Sequence, residues 1–276
     1  MSLGIVTRFT LSTYPNPQVW GGVKSYTLGD LPALYSAMYE YQTVPQKDPK
    51  ANLMMQGYFT NTSVAIILNM IYLAPEKSPA AFEPFYRINT TSDTTKIASL
   101  TDFLTSQGPV NFPPRVDWRA TSFTPDKSLY DKLAKLLTDS AALKKIEGVQ
   151  LGTVSFGMQP ISTSAIQAGI ARGGNALGLQ NANQTWYVID SGWATASDDL
   201  PVHAATKDIV DSIQNEAEAA GKGVPYIFMN DASYDEDVIA GYGQENAAKL
   251  RAISAQYDPH QVFQKLVPGG FKLPKS

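Results

Sequence analysis

Cysteine is absent from the 276 residues, which excludes disulfides, thiolate metal sites and a cysteine nucleophile. Histidine is almost absent too. His203 and His260 are too few for a histidine-rich metal centre, so no metal is expected. No segment reaches the ~18 uninterrupted apolar residues of a membrane helix, because "SVAIILNMIYLAP" is broken by Asn69 and closes at Pro75. The opening "MSLGIVTRF" has no apolar run of signal-peptide length, so the sequence reads as soluble, and as cytoplasmic if expressed as it stands. A secreted longer parent stays open. The sequons at Asn61, Asn89 and Asn183 are read as chance matches. A net charge of -3 with interspersed signs offers no basic stripe, which argues against nucleic acid and anionic membrane as partners. No G-x-S-x-G elbow occurs, so serine hydrolysis lacks its local signature.

What is present is an ordinary globular composition, 43% hydrophobic and 17% charged. "GIVTRFTLSTY" (4–14) alternates Ile5, Thr7, Phe9 and Leu11 against Val6, Arg8 and Thr10, the period of a strand. "GDLPALYSAMYEYQ" predicts a helix capped by Asp30 with Leu34, Met38 and Tyr41 on one face. "SVAIILNMIYLA" and "AFEPFYRIN" read as strands, as do "LGTVSFGMQPI", with Val154, Phe156 and Met158 in alternation, and "TWYVIDSGWA". "TPDKSLYDKLAKLLTDS" predicts a second helix with Leu129, Leu133, Leu136 and Leu137 inward. A third runs from Asp198 to Ala220, presents Val202, Ile209, Ile213 and Ala217, and ends at a left-handed Gly221. "VPYIFMN" follows as a short strand. A last helix carries Ala247, Leu250, Ile253 and Tyr257 and stops before Pro259, where Asp258 can cap a new turn. The order implies an α+β fold, a mostly antiparallel sheet with helices on one face.

Four stretches could carry chemistry. "RGGNALG" (172–178) fits neither glycine-rich phosphate pattern and reads as a tight turn or bulge. "NDASYDED" (230–237) has oxygens for a cation but lacks the glycine and terminal glutamate of a calcium loop, so a solvated loop competes with it. His203, near Asp198 and Asp199, forms a dyad only if its helix face lines a cleft. Asn230 and Asp231, at the end of "YIFMN", either converge on a ligand pocket or satisfy a turn.

"YIFMNDAS" followed by "YGQENAAKLRAISAQYDPHQVFQKL" (242–266) resembles the C-terminus of berberine-bridge-enzyme-like FAD-linked oxidoreductases in the vanillyl-alcohol-oxidase superfamily, particularly the fungal members. "GIVTRFTLSTYPNPQVWGG" is similar to the point where that family passes from its FAD-binding domain into its substrate domain, and "WATASDDLPVHAATKDIVDSI" to a helix of that domain. The resemblance implies a remnant of the FAD-binding domain at 1–17, including a leftover N-terminal strand. It further implies a substrate-binding domain at 18–229 and the family's C-terminal segment at 230–276. It implies a hydride transfer from an alcohol-type substrate to FAD, with the flavin-holding domain missing and this chain not competent alone. A non-catalytic module that binds a small molecule or partner is the alternative.

Residue by residue, Asn230 matches the asparagine of the family's aromatic-x-Asn motif near the flavin. Phe228 and Asp231 stand where tyrosines are common, and Tyr226 lies two residues from the expected tyrosine. Phe228, Asn230 and Asp231 are therefore the cofactor-side candidates and Tyr226 the substrate-side one, with the catalytic base unassigned. An unpaired strand edge at 5–11 implies self-association or docking of the missing domain as the partner.

Overall fold

A computed structural model describes residues 3–15, 18–106 and 112–274. Among these, in chain order, lie β1 (Val19–Tyr26), α1 (Leu31–Thr43), β2 (Ala51–Thr60), β3 (Val64–Tyr72), α2 (Glu83–Tyr86), β4 (Ser92–Asp93), β5 (Lys96–Ala98), α3 (Leu100–Ser106) and β6 (Arg115–Phe123). Then come α4 (Lys127–Asp139), α5 (Ala141–Glu147), β7 (Thr153–Ile161), α6 (Thr163–Ala171), β8 (Gln184–Trp193), α7 (Asp199–Ala219), β9 (Gly223–Val224), α8 (Gln244–Tyr257) and α9 (Val262–Lys265). The strands join in one sheet of order β4-β1-β3-β2-β7-β8-β6-β9, with β5 also on β1, and every pairing is antiparallel. This is the α+β architecture that the alternation of helical and strand periods predicts.

Period-two alternation sends one residue set to the helices. Leu53, Met55 and Phe59 of β2, Ile66, Leu68 and Met70 of β3, Val154, Phe156 and Met158 of β7, and Tyr187 and Ile189 of β8 are all buried there. They meet Leu34, Met38 and Tyr41 of α1, Leu129, Leu133 and Leu137 of α4, and Val202, Ile209 and Ile213 of α7. Each such side chain contributes about 1.5–3 kcal/mol on burial. Phe156 stacks on Tyr187 at 5.8 Å and 7°, and its ring crosses Gly57, where a Cβ would come within 2.2 Å of it. That close approach explains a glycine inside β2.

A polar network fastens this helical layer to the sheet. Gln42 of α1 donates through Nε2 to Thr185 Oγ1 at 2.9 Å and to the Gln184 carbonyl at 3.2 Å, and its Oε1 accepts from the Tyr130 hydroxyl at 2.5 Å. Tyr35 of α1 shares a hydrogen bond with Tyr187 at 2.7 Å. A smaller cluster of Val224, Tyr226, Val238 and Tyr242 packs on Trp186, on the other side of the sheet. Its members lie on both sides of position 230.

Five sequence expectations need correction. Residues 4–14 form no strand, because no segment among the described residues supplies a ladder, and Ile5, Phe9 and Leu11 lie about four-fifths exposed. The aromatic run 81–89 is no strand and is helical as far as Tyr86: Pro84 sits in the first turn of α2, where its missing N–H costs nothing, and Phe82 and Phe85 pack on Tyr41. "VPYIFMN" contributes only Val224 to a strand, and residues 229–231 turn as a 3-10 helix. Asp30 stands at the N-cap position of α1 but makes no side-chain capping bond there; its carboxylate accepts from Thr27 N at 2.9 Å. The α8 stripe is exposed at Ile253 and Tyr257, while Ala247 and Ser254 are buried. By contrast Asp126 caps α4 by accepting from Leu129 N, Gly221 takes φ 66°, and Asp258 accepts from the Val262 and Phe263 amides.

Gln42→Leu keeps the volume and removes every hydrogen bond of that side chain, leaving the Gln184 carbonyl short of a donor. The expected loss is about 2 kcal/mol of unfolding free energy, read from the midpoint of a urea titration followed by circular dichroism.

Candidate functional site

The side chains that alternate with the core residues point to the sheet's other face, and register carries them into rows. Tyr58 stands opposite Ser155, Ser155 opposite Asp190, and Asp190 opposite Trp118, so β2, β7, β8 and β6 each place one side chain in a single line. In the next line Gln56, Gly157, Val188 and Ala120 stand side by side, and beyond it Gln159 faces Trp186. In that line Gly157 has no side chain and Val188 Cγ1 fills its place, since a Cβ there would come within 2.7 Å of it. Two polar ridges flank the line.

The ridges are tied locally. Ser155 Oγ donates to Asp190 Oδ1 at 2.8 Å, Gln159 Nε2 donates to Asp231 Oδ2 at 2.8 Å, and Asn69 Nδ2 donates to Gln56 Oε1 at 2.7 Å. Burial pushes the Asp190 carboxyl above the ordinary carboxylate range, with the Asp231 charge adding to the rise and the Ser155 hydroxyl opposing it. Burial likewise lifts Asp231 against the pull of Gln159, and it lifts the Tyr58 phenol with help from the Asp190 charge. Two acids held toward their neutral forms, beside a phenol and two amides, can accept, hold and return a proton.

The sequence-predicted residues sit at the rim of this face. Asp231 is buried and reaches it through Gln159. Phe228 stacks on Trp186 at 4.7 Å and 29°, while Asn230 is exposed. Tyr226 is only 2% exposed, packed between Trp186 at 4.9 Å and Tyr242 at 5.9 Å, so its ring lies in the core of the smaller cluster. The structure brings Tyr226 and Phe228 together on Trp186 and joins Asp231 to β7. Tyr58, Ser155, Gln159 and Asp190 escaped the sequence reading. The signal was there in "TVSFGMQ", because placing Val154, Phe156 and Met158 inward fixes Ser155, Gly157 and Gln159 outward.

The other candidates resolve differently. His203 does not pair with Asp198 or Asp199. Asp199 accepts from Arg115 and from Trp193 Nε1, whereas His203 Nδ1 lies 2.9 Å from Asp117 Oδ2. In the 230–237 run, Asp235 pairs with Arg119 at 3.0 Å and Glu236 accepts from Ser233 N at 2.6 Å, which commits their oxygens. Among the described residues no group of three or more histidines or acids could hold a metal ion, and no helix is long and apolar enough to cross a membrane. In the 172–178 run, Gly173 and Gly174 take positive φ in the turn that ends α6.

Several proteins are similar to this chain. It is 31% identical over 274 residues to the bifunctional solanapyrone synthase of Alternaria solani, covering 99% of this chain and 52% of the relative. It is 34% identical over 279 residues to an FAD-dependent monooxygenase of Arthrobotrys oligospora, covering 98% and 52%, and 30% identical over 279 residues to one of Aspergillus calidoustus, covering 99% and 53%. No family model matches the chain. Among solved structures, a berberine bridge enzyme variant described as a reticuline dehydrogenase superposes with a TM-score of 0.65 at 10% identity, over 93% of this chain and 55% of that one. Aclacinomycin oxidoreductase superposes with a TM-score of 0.64 at 10% identity, over 95% and 56%. The chain thus spans about half the length of the curated relatives it matches, and those relatives include fungal FAD-dependent monooxygenases; with about half of each solved oxidoreductase it shares its fold.

Proposed function

We propose that this chain forms the substrate side of an FAD-dependent oxidoreductase and that the sheet face carrying Asp190 receives the substrate carbon to be oxidised. The observation that carries the reading is the row Tyr58–Ser155–Asp190–Trp118, an acid–base line on the sheet face opposite the main helical layer. Similarity to FAD-dependent fungal proteins supports the cofactor.

The residues fit one side of a flat aromatic group. The Trp186–Phe228 stack supplies an apolar rim and Asn230 an exposed amide, so Phe228, Asn230 and Asp231 are the residues that would meet a flavin here. When bound, FAD supplies the two-electron acceptor. The described glycines do not complete a phosphate cradle: at Gly22 and Gly178 a Cβ would run into backbone at 2.8 and 2.2 Å, and Gly173 and Gly174 open into empty space. We therefore assign the grip on the cofactor to a flavin-holding half, with this chain alone not competent for turnover.

Asp190 is the proton acceptor in this reading. Ser155 donates to its Oδ1, which leaves Oδ2 without a hydrogen bond among the described residues. Gln56 and Gln159 offer amides on the same face that position hydroxyl or carbonyl oxygens. The relatives carry names of monooxygenases and the fold neighbours names of oxidases or a dehydrogenase, and a proton acceptor beside two amides favours oxidation of an alcohol-type carbon.

Two outcomes are expected. Mixed with FAD and passed through gel filtration, the 276-residue chain retains no stoichiometric flavin absorbance; one flavin retained per chain would defeat the division of labour proposed here. With the chain joined to a flavin-holding half and loaded with FAD, anaerobic bleaching of the flavin by a panel of alcohols slows by roughly 10²–10⁴-fold in Asp190→Asn. Because Asp190 must be ionised to accept a proton and its folded pKa is raised, the native rate climbs with pH through a limb displaced above the ordinary carboxylate range, then levels. That limb disappears in Asp190→Asn, and a variant that keeps both rate and limb would remove Asp190 from the chemistry.

A further inference from the structure

A cleft of about 470 Å³ opens at the end of the helical layer, where the last turn of α1, the loop after it and the start of β2 meet residues 80–84. That volume lies within the range of small-molecule sites. Val44, Ala51, Ala81 and Pro84 give it an apolar wall, while Glu40, Asp48 and Glu83 make it acidic. Lys47 lines it as well, and none of these residues belongs to the row that carries Asp190.

Local sequence sets the lysine there. Val44 precedes Pro45 and takes the extended backbone that position demands, at φ -57° and ψ 135°, so α1 stops and the chain folds back on its last turn. Lys47 Nζ then sits 2.8 Å from the centroid of the Tyr41 ring and contacts the Tyr41 carbonyl at 3.4 Å. The ring is fixed in its turn. Its hydroxyl donates to the Ala51 carbonyl at 3.2 Å, and it stacks with Phe82 at 5.9 Å and 16°.

What the amine lacks is a counter-charge. Its contact with the Tyr41 carbonyl is at the long end of hydrogen-bond range, and it makes no ion pair among the described residues. The acids of the cleft are engaged elsewhere. Asp48 accepts from the Tyr72 hydroxyl at 2.8 Å and from Lys50 N at 2.9 Å, and Glu40 and Glu83 pair with Arg87 at 3.5 and 2.5 Å. Burial without a partner pushes the Lys47 ammonium down to about 7. A lysine that served to tie the loop down would hold one of those carboxylates; this one keeps a neutral, nucleophilic fraction at neutral pH.

We infer that Lys47 is a nucleophilic amine that captures a small neutral aldehyde in this cleft as a Schiff base. The nitrogen lone pair attacks the carbonyl carbon to give a carbinolamine, and both protons of the neutral amine then depart with the carbonyl oxygen as water, leaving a C=N bond. Charge selects the aldehyde over carbon dioxide, because a carbamate would set a new anion among Glu40, Asp48 and Glu83. A protonated imine is instead a cation over the Tyr41 face, larger and less strongly hydrated than an ammonium, so it tolerates a site where the ammonium misses its water. The apolar wall takes the body of the aldehyde.

Benzaldehyde with sodium cyanoborohydride, applied to the full chain at neutral pH, reduces the imine to a benzylamine that peptide mass mapping locates. The expected result is benzylation of Lys47 at least roughly tenfold faster than of any other lysine. Lys47→Met keeps the length of the side chain and removes an unpaired charge, so the fast lysine reaction disappears while the midpoint of urea unfolding stays or rises. Ala80→Trp, at an exposed position lining the cleft, slows benzaldehyde at Lys47 and spares formaldehyde, which needs less room. Even labelling across the lysines, a slow Lys47, fast lysine labelling that survives in Lys47→Met, or benzaldehyde unaffected by Ala80→Trp would each overturn the site. Neither flavin nor Asp190 takes part, so this result and the flavin experiments stand or fall separately.

Discussion

A sheet has two faces to dispose of, and here the main helices cover only one. Everything on the uncovered face takes its placement from how firmly the covered one is held. The Gln42–Thr185–Tyr130 network and the Tyr35–Tyr187 pair bind α1 and α4 directly to β8. These are buried polar groups in a low-dielectric interior, where a satisfied network rigidifies and an unsatisfied one costs heavily. Burial also pushes the Tyr35 and Tyr130 phenols up, which keeps them as neutral donors at any ordinary pH. With β8 fixed from beneath, its neighbours follow at the sheet's own spacing of about 4.8 Å, and the outward side chains inherit that geometry.

The two faces treat carboxylates in opposite ways. On the covered side and edge, Asp117 receives donors from Ser233 and Arg119 as well as the imidazole contact, so its charge is answered wherever it points. On the open side, Asp190 receives one hydroxyl and Asp231 one amide, each too little to offset burial and the neighbouring negative charge. The first pattern positions a side chain. The second leaves a proton only loosely assigned, which is the property acid–base chemistry uses.

How much of this was legible follows from what is local. β3, β7 and β8 announce themselves by alternation, and α1, α4 and α7 by apolar spacing, because each of those patterns lives within one element. The failures share a cause as well. The run 4–14 alternates like a strand but meets no ladder; 81–89 has strand-like composition, yet Pro84 starts a helix; α6, built from small residues in "TSAIQAGIA", shows little contrast and went unread. The site was less legible still. Tyr58, Ser155, Asp190 and Trp118 come from four strands, and only the register of non-local pairing aligns them. His203 has acids close by in sequence, but its partner is Asp117, since Arg115 and Trp193 have already taken Asp199.

The failed strand at 224–230 explains why the edge of β6 lies unpaired beside the sheet face that carries Asp190. Had "VPYIFMN" continued along β6, its backbone would have closed the edge and buried the approach to His203. Ala120 N, which a longer strand would have satisfied, finds the Glu236 carboxylate instead. The chain therefore leaves the sheet after Val224, packs Tyr226 and Phe228 on Trp186, and turns at residues 229–231. That turn sends Asp231 toward Gln159 on the open face and leaves Asn230 beside His203 at the edge. One short segment thus serves both the sheet face, through Asp231, and the edge of β6, through Asn230.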